Sequence, residues 1–522
     1  MARQILFFSM TVLLGGPLMA AGTSGPRVLR WASNPESGPP YAFFSWKQSL
    51  KRVSGMEADV IREVAKRLGC QERFCINDWD NLIPGLRRGL YDVVINGIVA
   101  PERPMPGVIF SRPYFRGTRQ LVVRKDEEKI VSLATAQGRR LGLIPDMGTP
   151  ELLAAYPGIK VLYYTDEYEV FFDLKRGQID AILMDSPGVL YHSSIQPDTR
   201  VIEEAVGELE YVMALRAEDG EWLEGIDRAL EEMKADGSLL AIMRHWGLCQ
   251  KPFCQLLGLP EEPAPELMSV PGYRQFLENV QPPTCWRELT ERYRKFLPLL
   301  GQAALITLEL SVVSMGIAVL LGFLLALLRL YAPVVIRWLA LLWIEFLRGT
   351  PLLIQLFFIF YGLPFIGISL PPFWAAVLAL GLNYSAFEAE NYRAGLSSVP
   401  RAQMEAARAL GMTQLQALRH VIVPQAFSFV LPPMTNDFIA LLKDSSLASL
   451  VTMVELTKTY TLLANSCFDF FGTGLVVALV YLLIGLPFSY LAHLAERYMS
   501  LEKQAYRGIY ARRRRNRVRG LG

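Results

Sequence analysis

Residues 405–424, EAARALGMTQLQALRHVIVP, form a polar, helix-forming interruption between two long apolar segments. Gly411 follows Glu405 by six residues and Pro424 closes the stretch. Two short helices broken at a glycine beside a membrane face make a knob that another protein can grip. The rest of the 522-residue chain decides which side of the membrane the knob faces.

The net charge of +3 averages two unlike halves. Residues 27–248 are rich in Asp, Glu, Lys and Arg, whereas 297–497 are dominated by apolar runs long enough to cross a bilayer. Five membrane spans are expected, near 299–328, 338–361, 373–392, 426–450 and 473–494. The fourth is the most polar, because it contains TNDFIALLKDSSLASL. Residues 1–22 have the pattern of a signal peptide: Arg3, an apolar run from Ile5 to Leu14, then breakers and small residues. An uncleaved anchor is the alternative, and either one exports the polar half of the chain, residues 27–248. Five crossings then place the carboxyl terminus inside. Arg329 and Arg337 fall in the first inner loop, Arg401, Arg408 and Arg419 in the second, and the outer loop 362–372 carries no charge. The tail 498–522 agrees, with seven arginines and no acid between 507 and 519. A nucleic-acid tail is the rival reading of that run; beside a membrane span, a cytoplasmic anchor takes precedence and no nucleic-acid partner is expected.

Between 27 and 248, VLRWA, YDVVING, QLVVRK, RLGLIP, KVLYY and DAILMD have strand patterns. EADVIREVAKRLG, NLIPGLRRGL and EWLEGIDRALEEMKADGSLLAIMRHWG have helical ones. The alternation predicts an α/β domain of parallel sheets, in two lobes, with ligands at the carboxyl ends of the strands. Residues 249–296 are punctuated by prolines and lack a sustained period, which predicts a semi-stiff linker; as a flexible coil, about 40 residues would span about 35 Å.

The topology puts all six cysteines outside, where an even count predicts disulfides. Cys70–Cys75 and Cys249–Cys254 are local candidates and Cys285–Cys467 a distant one, among fifteen possible pairings. The four histidines are scattered, so no metal site is expected. No phosphate-binding loop, nucleophile elbow or zincin motif occurs, so neither catalysis nor a cofactor is expected.

Residues 28–248 resemble the solute-binding proteins of polar-amino-acid ABC importers. The resemblance rests on GPPYAF, GMEADVIREVAKRLG, DWDNLIPGLRRGLYDVVINGI, PER at 101–103, FSRPYF, RLGLIPDMGTPELL and LKRGQIDAILMDSP. It implies that Arg103 grips a ligand α-carboxylate, that Thr149 does so from a helix start, and that Asp185 takes the α-ammonium. Trp79 falls where the family places a side chain against the ligand, Tyr41 lies in the adjoining PP-aromatic segment, and backbone amides around Gly97 can bind a carboxylate. The bland alternatives are a surface arginine, two helix caps and rim aromatics. The chain departs from the family pattern in two places. A segment shorter by one puts Val99 near the position of a hydroxyl residue. Ser33 and Asn34 stand where binders of basic amino acids carry an aspartate, although Glu57 keeps a basic ligand open.

From about 301 to 497 the chain resembles the permease subunits of the same importers, through EFLRGTPLLIQLFFIFYGLP, EAENYRAGLSSVP, the 405–424 stretch and LPPMTNDFIALLKDSSL. The family's loop pattern is matched at Glu405, Ala406, Ala407, Gly411 and Pro424, with Val421 and Val423 replacing Ile and Leu. The resemblance implies that this loop docks on a separate ATPase. Charges in or near the spans need partners or water: Glu309, Glu345, Arg348, Glu388, Glu390, Lys443 and Asp444. Glu345–Arg348 has the spacing of a pair on one helix. Glu309 and Glu388 stand where the family is expected to be uncharged, which makes them candidates for lining a translocation path.

The expectation is a two-lobed binding domain followed by an all-α permease of five transmembrane helices in the inner or plasma membrane. It would take an amino acid outside the cytoplasm, borrow ATP hydrolysis, and pair with a second permease copy, identical or related. The rivals are a ligand-gated channel or sensor on the same binding fold, which would need a pore loop or a signalling domain, and a dehydratase-like enzyme, which would need a catalytic pair.

Overall fold

The computed structural model describes residues 27–144, 149–164, 167–202, 204–260 and 266–519; the expected signal peptide lies outside them. The described chain forms two compact units, one of residues 27–296 with 461–470, the other of residues 297–460 with 471 onward.

In the first unit every expected strand forms. The first sheet has the order β4-β1-β5-β13-β6, built from β1 (Val28–Ser33), β4 (Gln71–Ile76), β5 (Val93–Val94), β6 (Val108–Phe110) and β13 (Ala214–Arg216). A hairpin of β2 (Phe43–Ser45) and β3 (Ser49–Ser54) stands apart. The second sheet has the order β11-β7-β10-β8-β9, with β7 (Phe115–Arg124), β8 (Arg140–Leu143), β9 (Lys160–Tyr163), β10 (Ala181–Asp185) and β11 (Thr199–Val201). β12 (Val206–Tyr211) pairs with the amino-terminal half of β7. Both sheets are mixed rather than parallel, because β13 runs against β5 and β6, and β7 against β10, β11 and β12. The cause is topological: the chain leaves the first sheet after β6 and returns before β13. Those two crossovers are tied together, Tyr114 N–H to Tyr211 O at 3.0 Å and Ser111 N–H to Met213 O at 2.9 Å. Two short connections side by side are the covalent basis of a two-lobed hinge.

Helix α1 (Met56–Arg67) buries Val60, Ile61, Val64 and Ala65 on one face, with Glu57 and Asp59 in its first turn and Lys66 and Arg67 in its last, as the helix dipole favours. It starts at Gly55, where φ is +133° and an added Cβ would lie 1.9 Å from the Tyr41 carbonyl oxygen, so only glycine fits. Helix α2 (Trp79–Arg87) follows β4; α3 (Thr149–Leu153), α4 (Glu167–Lys175) and α5 (Ser186–His192) belong to the second lobe. The long helix expected over 221–247 is broken by Gly237, at φ +80°, into α6 (Gly220–Ala235) and α7 (Ser238–His245).

The stretch expected to be a linker is folded. Helices α8 (Lys251–Leu256) and α9 (Pro271–Val280) bury Phe253, Tyr273 and Phe276 in the same core as Trp31, Phe115, Tyr211 and Trp246. Pro252 and Pro271 stand at helix starts, where the missing N–H costs nothing, and each helix is too short to show a period. The Cys70–Cys75 pairing is excluded: Cys70 precedes β4 and Cys75 lies in it, about 16 Å away along an extended strand, whereas a disulfide needs Cα atoms within roughly 7 Å. All six cysteines carry free thiols, Cys249 and Cys254 among the buried ones.

The second unit is helical: α10 (Trp286–Tyr331, entering from the first unit), α11 (Val334–Gly349), α12 (Leu352–Phe357), α13 (Pro372–Ser398), α14 (Arg401–Ala409), α15 (Gln414–Ala417), α16 (Val423–Asp444), α17 (Leu456–Cys467) and α18 (Phe470–Arg519). Among the described residues, α10 and the Phe470–Leu494 part of α18 are long and apolar enough to cross a membrane. A third crossing is counted if Val334–Gly349 and Leu352–Ile366, bent by 104° at the Gly349–Pro351 break, make one span. Five crossings remain an expectation. Helices α13 and α16, at about 40 and 33 Å, have the length but carry polar groups such as Asn383, Glu388, Asn391 and Asp437.

Candidate functional site

Asp185 ends β10 and caps α5, accepting the Gly188 N–H at 3.1 Å. Its Oδ2 accepts the hydroxyls of both Tyr41 and Tyr211. Tyr41 comes from the first lobe and Asp185 from the second, so this bond crosses the cleft, while Tyr211 stands on a crossover. Buried Arg119 lies opposite Asp185 in the register of β7 and β10, on the same face of the sheet. Burial, reinforced by the Asp185 charge, holds both phenols well above the ordinary tyrosine range, so both stay protonated and can donate to the carboxylate.

Behind this cluster lies a second carboxyl group. Glu57 is fully buried, and its Oε1 accepts the Gly97 N–H and the Tyr114 hydroxyl, each at 2.5 Å. Its Oε2 is buried without a partner among the described residues. Burial pushes the Glu57 carboxyl up to about 7 despite those two donors, which pull it down; Asp185 adds to the rise. Gly97, at φ +59°, would bring a Cβ to 3.3 Å from the Tyr41 ring. Its amide is therefore engaged by Glu57, where the sequence pointed to a ligand carboxylate.

The structure brings Tyr41, Gly97 and Asp185 together. Thr149 is buried at the first residue of α3, Trp79 is half-buried against the first lobe's core, and Arg103 is exposed between β5 and β6, with no protein partner among the described residues. Sequence reasoning missed Tyr114 and Tyr211. Tyr114 lies within FSRPYF, a motif noted as a whole, and Tyr211 carries no local signal beyond its place at the end of a strand. The chemistry on offer is an acidic, phenol-lined floor at a hinge, suited to an ammonium group. No cluster of potential metal ligands occurs among the described residues.

In the helical unit, Glu388 on α13 is fully buried against Gly322 of α10, and neither of its oxygens has a hydrogen-bond partner among the described residues. Asp437 of α16 lies within electrostatic reach of it and accepts the Asn391 amide at 2.7 Å. Glu309 is half-buried on α10. Glu345 and Arg348 approach to 3.9 Å, as their spacing predicts, and Glu390 pairs with both Arg329 and Arg393.

The 405–424 stretch is two short helices and a π-helical turn. Helix α14 ends at Ala409, Gly411 turns the chain at φ +86°, and Thr413 and Gln416 form a reciprocal capping box at α15. Ala407, Ala417 and Ile422 are buried, while Glu405, Ala406, Gly411 and Pro424 are not. Leu410 and Leu415 are 82% and 73% exposed, two large apolar side chains flanking the glycine. Such a bump has the composition of a docking surface.

Comparison with known proteins gives two family matches. Residues 30–248 match the bacterial extracellular solute-binding proteins, family 3, and residues 318–501 match the binding-protein-dependent transport system inner membrane component. The L-cystine transport system permease protein TcyB of Bacillus subtilis is 37% identical over 205 residues, 39% of this chain and 88% of TcyB. The probable glutamine ABC transporter permease protein GlnM of the same organism is 39% identical over 183 residues, 35% of this chain and 85% of GlnM. Among solved structures, an ancestral arginine-binding protein bound to glutamine aligns at 31% identity over 42% of this chain and 98% of its own, with a TM-score of 0.39.

Proposed function

This chain belongs to the amino-acid ABC transporter permeases and carries a family 3 solute-binding domain ahead of its permease, and we propose that it captures its own cargo outside the cytoplasm and passes it through that permease. The observation that carries the reading is the presence of both family matches on one polypeptide, with an acidic, phenol-lined cleft in the first. In this reading Asp185 takes the ligand ammonium, displacing the Tyr41 and Tyr211 hydroxyls. Arg103 and Thr149 take the carboxylate as the lobes close, and Trp79 walls the pocket. The Gly97 amide contributes through Glu57 by holding the cleft floor, rather than as a direct donor.

The knob at 405–424 faces the cytoplasm and receives an ATPase subunit, with Leu410 and Leu415 as its apolar contacts. A second permease copy completes the pathway, which Glu388 lines from α13 and Glu309 from α10. Tethering gives the binding domain an effective concentration of order millimolar at its permease, so a weak docking contact suffices. A thermal-shift series on the full chain in detergent tests the cargo: L-glutamine, L-cystine, L-arginine and the other amino acids are added in turn. At least one is expected to raise the unfolding temperature of the binding domain. If none does, the amino-acid reading of the cleft fails.

A further inference from the structure

Two buried carboxyl groups reach the hinge from opposite lobes. Glu57 belongs to the first turn of α1 in the first lobe, and Asp185 ends β10 in the second. Three buried phenols stand between them. Tyr114, on one crossover, donates to Glu57 Oε1 at 2.5 Å; Tyr211, on the other, donates to Asp185 Oδ2, as does Tyr41. The Tyr114 and Tyr211 ring centroids are 6.2 Å apart, and those of Tyr41 and Tyr211 are 6.3 Å apart. The Gly97 N–H is a second donor to Glu57 Oε1, while Oε2 is buried without a partner among the described residues. Tyr114, Tyr211 and Asp185 are thus the titratable groups that face Glu57 from other elements, with Arg119 beside Asp185 in the sheet register. On its own helix, Asp59 accepts the Trp246 indole N–H at 3.0 Å, and Arg62 pairs with Asp59 and Glu72.

Opposed influences act on the Glu57 carboxyl. Removal from water favours the neutral acid, the two donors on Oε1 favour the carboxylate, and the Asp185 charge favours the neutral acid. The last of these is the one that a ligand changes. An ammonium group at Asp185 cancels that charge and adds an attraction for a second carboxylate, while the ligand carboxylate is neutralised at Arg103. We propose, on the amino-acid reading of the cleft, that Glu57 gives up its proton to the solvent when a ligand ammonium reaches Asp185, so that capture is coupled to proton release. Burial holds the three phenols protonated, which leaves Glu57 as the group of this cluster that exchanges a proton. Because the ionised form binds the ligand more tightly, affinity rises with pH. The rise ends near pH 7, the value to which burial pushes the carboxyl in the ligand-free domain.

The test is calorimetry on the full chain in lipid nanodiscs with L-glutamine, L-cystine or L-arginine. For whichever binds, the affinity should rise roughly 3- to 30-fold between pH 5.5 and 8. At pH 6.5, two buffers of different ionisation enthalpy should report release of roughly a quarter to two thirds of a proton. Glu57→Gln should bind as weakly at pH 8 as the parent does at pH 5.5, and should lose that proton release. Tyr114→Phe removes a donor to the carboxylate, so it should move the rise to higher pH. A flat affinity profile in the parent, or undiminished proton release in Glu57→Gln, overturns the coupling. If none of the three amino acids binds, the cargo reading is what suffers, and a ligand-free measurement still decides. Thermal unfolding of the chain with and without Glu57→Gln diverges over a pH window set by Glu57, and Asp185→Asn should shift that window to lower pH. A window that stays in place overturns the coupling.

Discussion

Glu57 and Glu388 are the same residue type, both fully buried, and the two domains treat them differently. In the binding domain one oxygen of Glu57 receives a backbone N–H and a phenol, and Asp185 nearby receives two further phenols. In the permease neither oxygen of Glu388 has a partner among the described residues. A buried carboxyl group without partners is costly and is retained where it meets something that passes. On the proposed reading, the difference separates a site shaped in advance from one that its cargo would complete.

The sharpest way to break the comparison is at Asp185. Asp185→Asn keeps the shape and the helix cap but removes the charge that faces an ammonium, and should weaken amino-acid binding by roughly 100- to 1000-fold in calorimetry on the full chain. Affinity within a few-fold of the parent would mean that the cluster is structural and the ammonium is bound elsewhere.

The next effect is on stability. Burial holds the Glu57 carboxyl near 7, against 4.5 for the ordinary group. Between those pH values the unfolded chain has lost its proton and the folded chain has kept it. Glu57 therefore lowers stability progressively as pH rises from about 4.5 to about 7, by up to about 3 kcal/mol, and no further above that. Glu57→Gln should remove this component, so thermal unfolding curves of the variant and parent should diverge through that window in the variant's favour. Parallel curves would show that Glu57 is as ionised when folded as when unfolded.

The smallest effect is expected in the permease. Glu388→Gln should leave ligand affinity unchanged and slow transport in proteoliposomes by roughly tenfold, about 1.4 kcal/mol of barrier. If transport is intact and the variant merely more stable, Glu388 is a tolerated strain and the contrast with Glu57 has no functional content.

Much of this was legible in the chain. The strand and helix patterns of 27–248 reappear as elements, and the 405–424 stretch breaks at Gly411, because turn chemistry and periodicity are local. The mixed sheets were not legible: strand direction follows from which crossovers the chain takes, and no residue pattern encodes that. The five crossings read from the sequence stay an expectation, because polar groups such as Glu388 on α13 and Asp437 on α16 set these two helices apart from the apolar α10 and α18.

The site divides in the same way. Asp185, Tyr41 and Gly97 were marked by motifs, each a short string of neighbours. Tyr114 and Tyr211 became site residues only because two crossovers run side by side. By itself, the sequence determined the order of the two domains, the knob, and the residue types available to hold an ammonium, since these depend on composition, period and spacing. Only the tertiary structure decided that the supposed linker belongs to a core, that the Gly97 amide is engaged by Glu57, and that Phe468 meets His192. Those facts join residues from 40 to 276 positions apart, and contacts at such separations are set by packing of the folded chain.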